Sequence, residues 1–118
     1  MSYDENLAAR LRALLDREPG LREKAMFGGT GFLVNGNLAC GVYQNGLIVR
    51  IGPERYPAAL GRPHVHPMDI TGRPMNGWVM VAPEGCQAES DLQDWVEQGV
   101  AFARSLPPKL GAPGNDQA

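Results

Sequence analysis

The sequence predicts an α+β fold, a two-layer arrangement in which helices cover an antiparallel sheet, and three features support it. Two Asn-Gly dipeptides, at residues 35–36 and 45–46, divide an apolar, strand-favouring stretch into three segments. Asn-Gly readily adopts the positive φ angles of a type I′ turn, whose twist matches that of paired strands. Apolar residues recur at helical spacing near both ends of the chain. The 118 residues suffice for one core but not for two.

The predicted sheet is built from a central meander with further strands on either side of it. The meander comprises residues 32–34, 38–43 and 47–51, which are rich in strand-favouring side chains. Residues 22–27 are a weaker strand candidate, and residues 78–81 form a later one.

Three helices are predicted to flank these strands. Ser2 and Ser90 are each followed three residues later by Glu or Gln, which is the capping-box pattern of a helix start. A Gly-Pro-Glu sequence at 52–54 favours the start of a short middle helix. The first predicted helix covers residues 3–17. The second begins at the Gly-Pro-Glu sequence and ends at Gly61, and the third extends from Ser90 to Leu106. Residues 1–110 are thus predicted to form the domain, and residues 111–118 a disordered tail.

Charge and cysteine content limit the function classes. The 11 basic and 13 acidic residues give a net charge of −2, which disfavours strong autonomous binding to nucleic acid. Cys40 and Cys86 are far apart and lie in or beside predicted strands, so we expect buried, free thiols. Neither a signal-sequence pattern nor an apolar run of membrane-spanning length is present. We therefore expect a cytoplasmic protein with reduced thiols and no membrane partner.

Arg50 places a charge in an otherwise apolar strand. Alternation puts it on the same face as Ile48 and opposite to Leu47, Val49 and Ile51. Two interpretations are open. Arg50 faces solvent from an amphipathic sheet, as half-solvated antiparallel sheets allow, or it binds an anion or a carboxylate partner.

The segment after the middle helix contains the other candidate site residues. In an extended backbone His64 and His66 would project to the same side, as two metal ligands do, and Asp69 or Cys40 would complete such a site. Zinc takes three or four protein ligands, so this pair alone assigns no metal. Asp69 and Arg73 lie four residues apart across a Thr-Gly turn, and we expect them to pair and to hold the loop.

Motifs of known enzyme chemistry are missing. The sequence contains no nucleophile elbow, zinc-protease helix motif, phosphate-binding lysine loop or dinucleotide fingerprint. The glycines at 28–31 precede a strand and not a helix, so a turn or bulge is favoured over a phosphate site. We expect no cofactor and no catalytic residues.

Several short motifs, in chain order, resemble the TfoX (Sxy) N-terminal domain family. They are Met-Phe-Gly-Gly at 26–29, Val-Asn-Gly-Asn at 34–37, Val-Arg-Ile-Gly-Pro-Glu-Arg-Tyr at 49–56, Pro-Met-Asp-Ile-Thr-Gly-Arg-Pro-Met at 67–75, Gly-Trp-Val at 77–79 and Ser-Leu-Pro-Pro-Lys at 105–109. The resemblance implies the element order α-β(3)-α-β(2)-α. It also implies kinship with regulators of natural competence, which act with a cyclic-AMP receptor protein at promoters. The match ends at about Lys109, so we do not expect the second, helical domain of longer members.

Two hypotheses of function follow. The first is a small cytoplasmic accessory protein that acts through contacts with a protein partner, such as the transcription machinery or a regulator. The second is a domain that binds a small anion or metal, or an enzymatic domain. Its candidate site residues are Arg50, His64, His66, Asp69 and Arg73.

Overall fold

The computed structural model describes residues 3–26, 28–69, 72 and 75–109. In this part of the chain, helices and strands follow in the order α1 (Glu5–Leu14), β1 (Leu21–Met26), β2 (Gly29–Val34), β3 (Asn37–Tyr43), β4 (Gly46–Arg50), α2 (Tyr56–Leu60), β5 (Val65–Pro67), β6 (Trp78–Val81) and α3 (Glu89–Ser105). All six strands form one open antiparallel sheet with the strand order β1-β2-β3-β4-β6-β5. The predicted α+β fold is confirmed. The early strand is real, so four strands and not three precede the middle helix.

The sheet has two unlike faces. The helices pack on one of them, which we term the first face, and together they bury a continuous apolar core. Its sheet residues include Phe32, Cys40, Val42, Leu47, Val49, Val79 and Val81, and its helix residues include Leu7, Leu11, Ala59, Leu92, Trp95 and Val96. The opposite side, which we term the second face, is not covered by any helix of the described residues. Its central row crosses all six strands and consists of Lys24, Gly31, Gly41, Ile48, Met80 and His66.

A β-bulge in β3 interrupts the alternation of its side chains between the two faces of the sheet. Phe32 is opposite Cys40, whereas the next residue, Leu33, is opposite Leu38, so Ala39 is an extra residue. Cys40 therefore lies in the core on the first face, as expected, but Leu38 lies on the second face. Simple alternation along the strand sequence would place Leu38 and Cys40 on the same face, but the inserted residue shifts the alternation by one and separates them.

The two Asn-Gly dipeptides behave differently. Asn35 and Gly36 both have positive φ, at 54° and 83°, as a type I′ turn requires, so the first turn is confirmed. The second turn is centred one residue earlier than predicted, because Tyr43 pairs with Gly46 and the positive φ of 55° belongs to Gln44. Gly46 is instead the first residue of β4.

The start of α1 is capped by a residue other than the predicted one. Asp4 is the N-cap, and its Oδ1 accepts a hydrogen bond of 3.0 Å from the Leu7 backbone N–H. The capping box with Ser2 as cap is therefore wrong, and Ser2 itself lies outside the described residues. The helix ends at Leu14, earlier than the predicted residue 17.

The later helices follow the prediction more closely, apart from one cap. Helix α2 begins late, at Tyr56, with Pro57 in its first turn, where proline is tolerated, and Gly61 ends it as predicted. Helix α3 begins at Glu89 after an N-cap that makes no side-chain hydrogen bond, so the predicted cap at Ser90 is wrong. The apolar stripe of α3 is buried as predicted.

Both thiols are buried and free, as predicted. Cys40 is completely buried, which raises its pKa to about 12, and burial also raises the pKa of Cys86. Among the described residues, no helix combines the length and the apolar character that crossing a bilayer requires. The predicted tail at 111–118 lies outside the described residues.

We expect both native thiols to react very slowly with a disulfide reagent at neutral pH, because only the thiolate attacks and burial suppresses it. The free thiol pKa is about 8.5. The folded state therefore holds the Cys40 proton more tightly, and this contribution to stability declines as the pH rises above about 8.5. The measurement compares the labelling rate of native protein with that of protein in guanidinium. Rapid labelling of native protein at both positions would contradict the expectation.

Candidate functional site

A cavity of about 480 Å³ opens on the second face of the sheet, and we term it the groove. Its apolar residues are Met26, Leu33, Leu38 and Trp78, and its charged residues are Arg22, Glu23, Lys24, Arg50 and Lys109, with Gly36 completing the lining. The volume lies within the range of small-ligand and peptide-side-chain pockets. The groove combines an apolar floor with four basic residues and one acidic residue.

The sequence of β1 and β2 explains one side of the groove. Alternation along β1 brings Arg22 and Lys24 to the second face, and both are exposed. Gly31 of β2 lies between Lys24 and Gly41 in the sheet. A Cβ at Gly31 would lie 2.7 Å from the Met26 sulfur, so the glycine lets the Met26 side chain lie close to β2 at the groove floor.

Glu23, the acidic residue that the described part of the chain contributes to the groove, is paired with its neighbours. The Glu23 carboxylate accepts hydrogen bonds of 2.8 and 2.7 Å from the Arg12 guanidinium and one of 2.9 Å from the Thr30 hydroxyl. These bonds, that of Arg12 foremost, lower the pKa of Glu23. Glu23 therefore does not offer a free carboxylate to the groove.

Arg50 lies at the end of β4, opposite Trp78 of β6. Its guanidinium carbon is 5.3 Å from the centre of the Trp78 ring and 5.4 Å from that of the Phe102 ring on α3. Both distances are within the range of cation–π attraction. Phe102 can approach because residue 52 is glycine, where a Cβ would lie 2.6 Å from the ring. Burial lowers the pKa of Arg50, but an arginine in this state remains charged at neutral pH.

The chain after α3 supplies the last basic residue of the groove. The buried Asn37 side chain donates hydrogen bonds to the backbone oxygens of Ala103, at 3.4 Å, and Pro107, at 3.0 Å. The Lys109 backbone N–H then donates to the Asn35 oxygen at 2.7 Å, and Lys109 packs against Gly36. These contacts hold Lys109 beside the first turn, at one end of the groove.

The other predicted site residues are spread along the β5 side of the sheet. His66 is exposed and ends the central row of the second face, whereas His64 precedes β5 with a positive φ of 66°. Asp69 is exposed and follows Met68, whose backbone pairs with Trp78 and Met75. Arg73 lies outside the described residues, so its pairing with Asp69 stays a prediction.

Only Arg50 of the predicted site residues that are described lines the groove. The described residues include no group of three or more His, Cys, Asp or Glu placed to hold a metal ion. A second cavity, of about 390 Å³, lies between the loop after β4 and α3, with Arg55, Gln98 and Phe102 among its lining residues.

Sequence reasoning missed Arg22, Lys24 and Lys109. The alternation of basic residues along β1 was a usable signal, because positions two apart in a strand share a face. No sequence signal pointed to Lys109, because its position depends on contacts between residues more than 60 positions apart.

Comparisons with known proteins place the chain in a family. The pattern of the TfoX N-terminal domain matches residues 13–103, which include the whole sheet, α3 as far as Ala103 and all of the groove except Lys109. Comparison with curated proteins returned no match, and comparison with solved structures returned none either. The match covers well over half of the chain and agrees with the motifs seen in the sequence. The chain belongs to the TfoX N-terminal domain family.

Proposed function

We propose that this chain is a small cytoplasmic accessory protein of transcription regulation that acts by binding another protein through the groove. The partner is a component of the transcription machinery or a transcription regulator. The observation that carries the proposal is the groove itself, an apolar and cationic surface on the sheet face that no helix of the described residues covers. Membership of a family of competence-regulator domains supports the regulatory role.

The charge distribution favours a contact surface with one preferred orientation. Four basic residues line the groove, whereas the exposed side of α3 carries Glu89, Asp91, Asp94 and Glu97. Glu89 and Asp94 are paired with Arg10 and Arg62, whereas Arg50 in the groove has no carboxylate partner among the described residues, and such a charge can orient the domain during encounter with a charged partner. The groove is therefore the side that meets an acidic surface.

The proposal is tested by titrating fluorescently labelled protein with purified RNA polymerase and with purified cyclic-AMP receptor protein, followed by anisotropy. We expect saturable binding to one of the two. Leu33→Glu, in the groove, should abolish it, whereas Ala13→Glu, on the exposed side of α1, should leave it unchanged. Absence of binding to both proteins would contradict the proposal, and so would equal loss in the two variants.

A second candidate function is the binding of a small anion by the groove. The position of Arg50 favours it, since a guanidinium can form two parallel hydrogen bonds with a carboxylate or phosphate. Saturable binding of succinate or inorganic phosphate, lost in Arg50→Gln, would support this alternative.

We expect the isolated protein to bind duplex DNA only weakly and without sequence preference. Its net charge is −2, and the acidic side of α3 opposes the approach of phosphates. The measurement is anisotropy of a labelled duplex at physiological salt, repeated with an unrelated sequence. Tight, sequence-selective binding would contradict this expectation.

A further inference from the structure

Arg50 differs from the arginines that make salt bridges in this fold. The guanidinium groups of Arg10, Arg12, Arg62 and Arg104 each contact a carboxylate. Among the described residues, no carboxylate lies within salt-bridge distance of Arg50, and its guanidinium makes no hydrogen bond to them. A half-buried guanidinium with five N–H donors therefore lines the groove without an acceptor from the described residues.

The two aromatic rings that neighbour Arg50 come from different elements. Trp78 belongs to β6 and Phe102 to α3, and their ring centres lie at almost equal distances from the guanidinium carbon. Contact with both rings restricts the guanidinium before any ligand arrives, so little rotamer entropy is lost on binding. Such an arrangement suits a planar carboxylate that accepts two parallel hydrogen bonds.

The remainder of the groove adds two requirements for the ligand. Lys109 adds a second positive charge at one end of the groove, which favours a ligand with more than one negative charge. Met26, Leu33 and Leu38 provide an apolar floor, which favours a ligand that also has apolar side chains. A short acidic peptide with an apolar side chain meets both requirements, whereas a small free anion meets only the first.

We propose that the groove binds an extended, acidic segment of a partner protein, in which one Asp or Glu carboxylate pairs with Arg50 and an adjacent apolar side chain packs on the groove floor. This inference rests on the proposed function and specifies the chemistry of the partner. Nucleic acid fits less well, because the chain carries a net charge of −2 and gains little from counterion release.

The first test selects ligands from a displayed library of random linear peptides. We expect the selected sequences to be enriched in Asp and Glu with interleaved Phe, Leu or Trp. Selection of basic or uncharged sequences would overturn the inference, and so would the failure of any peptide to be selected.

The second test measures the affinity of a selected peptide that contains no tryptophan by the fluorescence of Trp78. The variant Trp95→Phe removes the other tryptophan, which is buried in the core and whose Nε1 has no hydrogen-bond partner among the described residues, so we use it as the background. We expect Arg50→Gln to weaken binding by about tenfold or more. Arg50→Lys should restore little of it, because an ammonium does not reproduce the planar pair of donors. Arg55→Gln, at an exposed arginine outside the groove, is the matched control and should have no effect.

Three outcomes of the second test would overturn the inference. The first is equal weakening of peptide binding by Arg50→Gln and Arg55→Gln. The second is equal affinity for a peptide in which Asn and Gln replace Asp and Glu. The third is that succinate displaces the bound peptide at a concentration no higher than that of the peptide itself. The titration with RNA polymerase and cyclic-AMP receptor protein distinguishes a failure of this inference from a failure of the proposed function. If Leu33→Glu still abolishes partner binding while acidic peptides fail, the groove remains the contact surface and only the acidic chemistry is wrong.

Discussion

Gly99→Ala should destabilise the protein by about 2 kcal/mol, although alanine is the better helix former. Gly99 lies in the middle of α3 and is buried against β3. A Cβ at this position would lie 2.3 Å from the Ala39 carbonyl oxygen and 3.0 Å from its carbon. These are backbone atoms of a central strand at its bulge, so they cannot move aside as a flexible side chain does. The helix must therefore shift away from the sheet and lose core contacts.

The measurement is the free energy of unfolding in urea for Gly99→Ala. The control is the opposite substitution, alanine to glycine, at an exposed position of the same helix. Ala101 is exposed on the same helix, and Ala101→Gly should cost about 1 kcal/mol through helix propensity alone. If propensity also decided the outcome at residue 99, Gly99→Ala would raise stability by a similar amount. An increase would show that the close approach of α3 to β3 is wrong.

Phe32→Ala should cost about 3–5 kcal/mol, the largest effect that we expect from a single substitution. Phe32 is among the largest completely buried side chains of the core, and the helices on the first face cannot close the cavity that alanine would leave. Its neighbour Leu33 lies on the second face, half-buried at the groove. Leu33→Ala should cost less than about 1 kcal/mol, because water and neighbouring side chains can occupy the space.

This pair of adjacent residues tests the assignment of the two faces. Both variants are measured by urea unfolding at the same pH and protein concentration. Similar destabilisation by the two substitutions would mean that the second face is as well packed as the first. In that case the groove would not be an open surface, and both proposals for it would fail.

Local patterns in the sequence were sufficient for most of the elements. Asn35 and Gly36 determine their turn themselves, because few other residue pairs adopt two successive positive φ angles at low cost. The apolar stripe of α3 and the alternation of Leu47, Val49 and Ile51 predicted their buried faces correctly. These signals come from residues only a few positions apart, because the conformational preferences that produce them are local.

Details that depend on strand pairing were decided by the tertiary structure. The bulge at Ala39 moved Leu38 to the second face, and the second turn shifted to Gln44. The register of a strand depends on its neighbouring strand and on which side chains are buried on each face of the sheet. The strand's own sequence specifies neither of these.

The sequence alone determined the family, the α+β class, the burial of the thiols and the presence of a charge on an apolar strand at Arg50. It left open whether that charge faces solvent or a ligand. Only the tertiary structure brought Trp78 and Lys109, which are far from Arg50 in the chain, to the same groove, and the Phe102 ring beside the Arg50 guanidinium. The physical reason is that a site on a sheet face is assembled from side chains of non-adjacent strands and a helix end. Their proximity depends on sheet order and on the packing of α3, which no local pattern encodes.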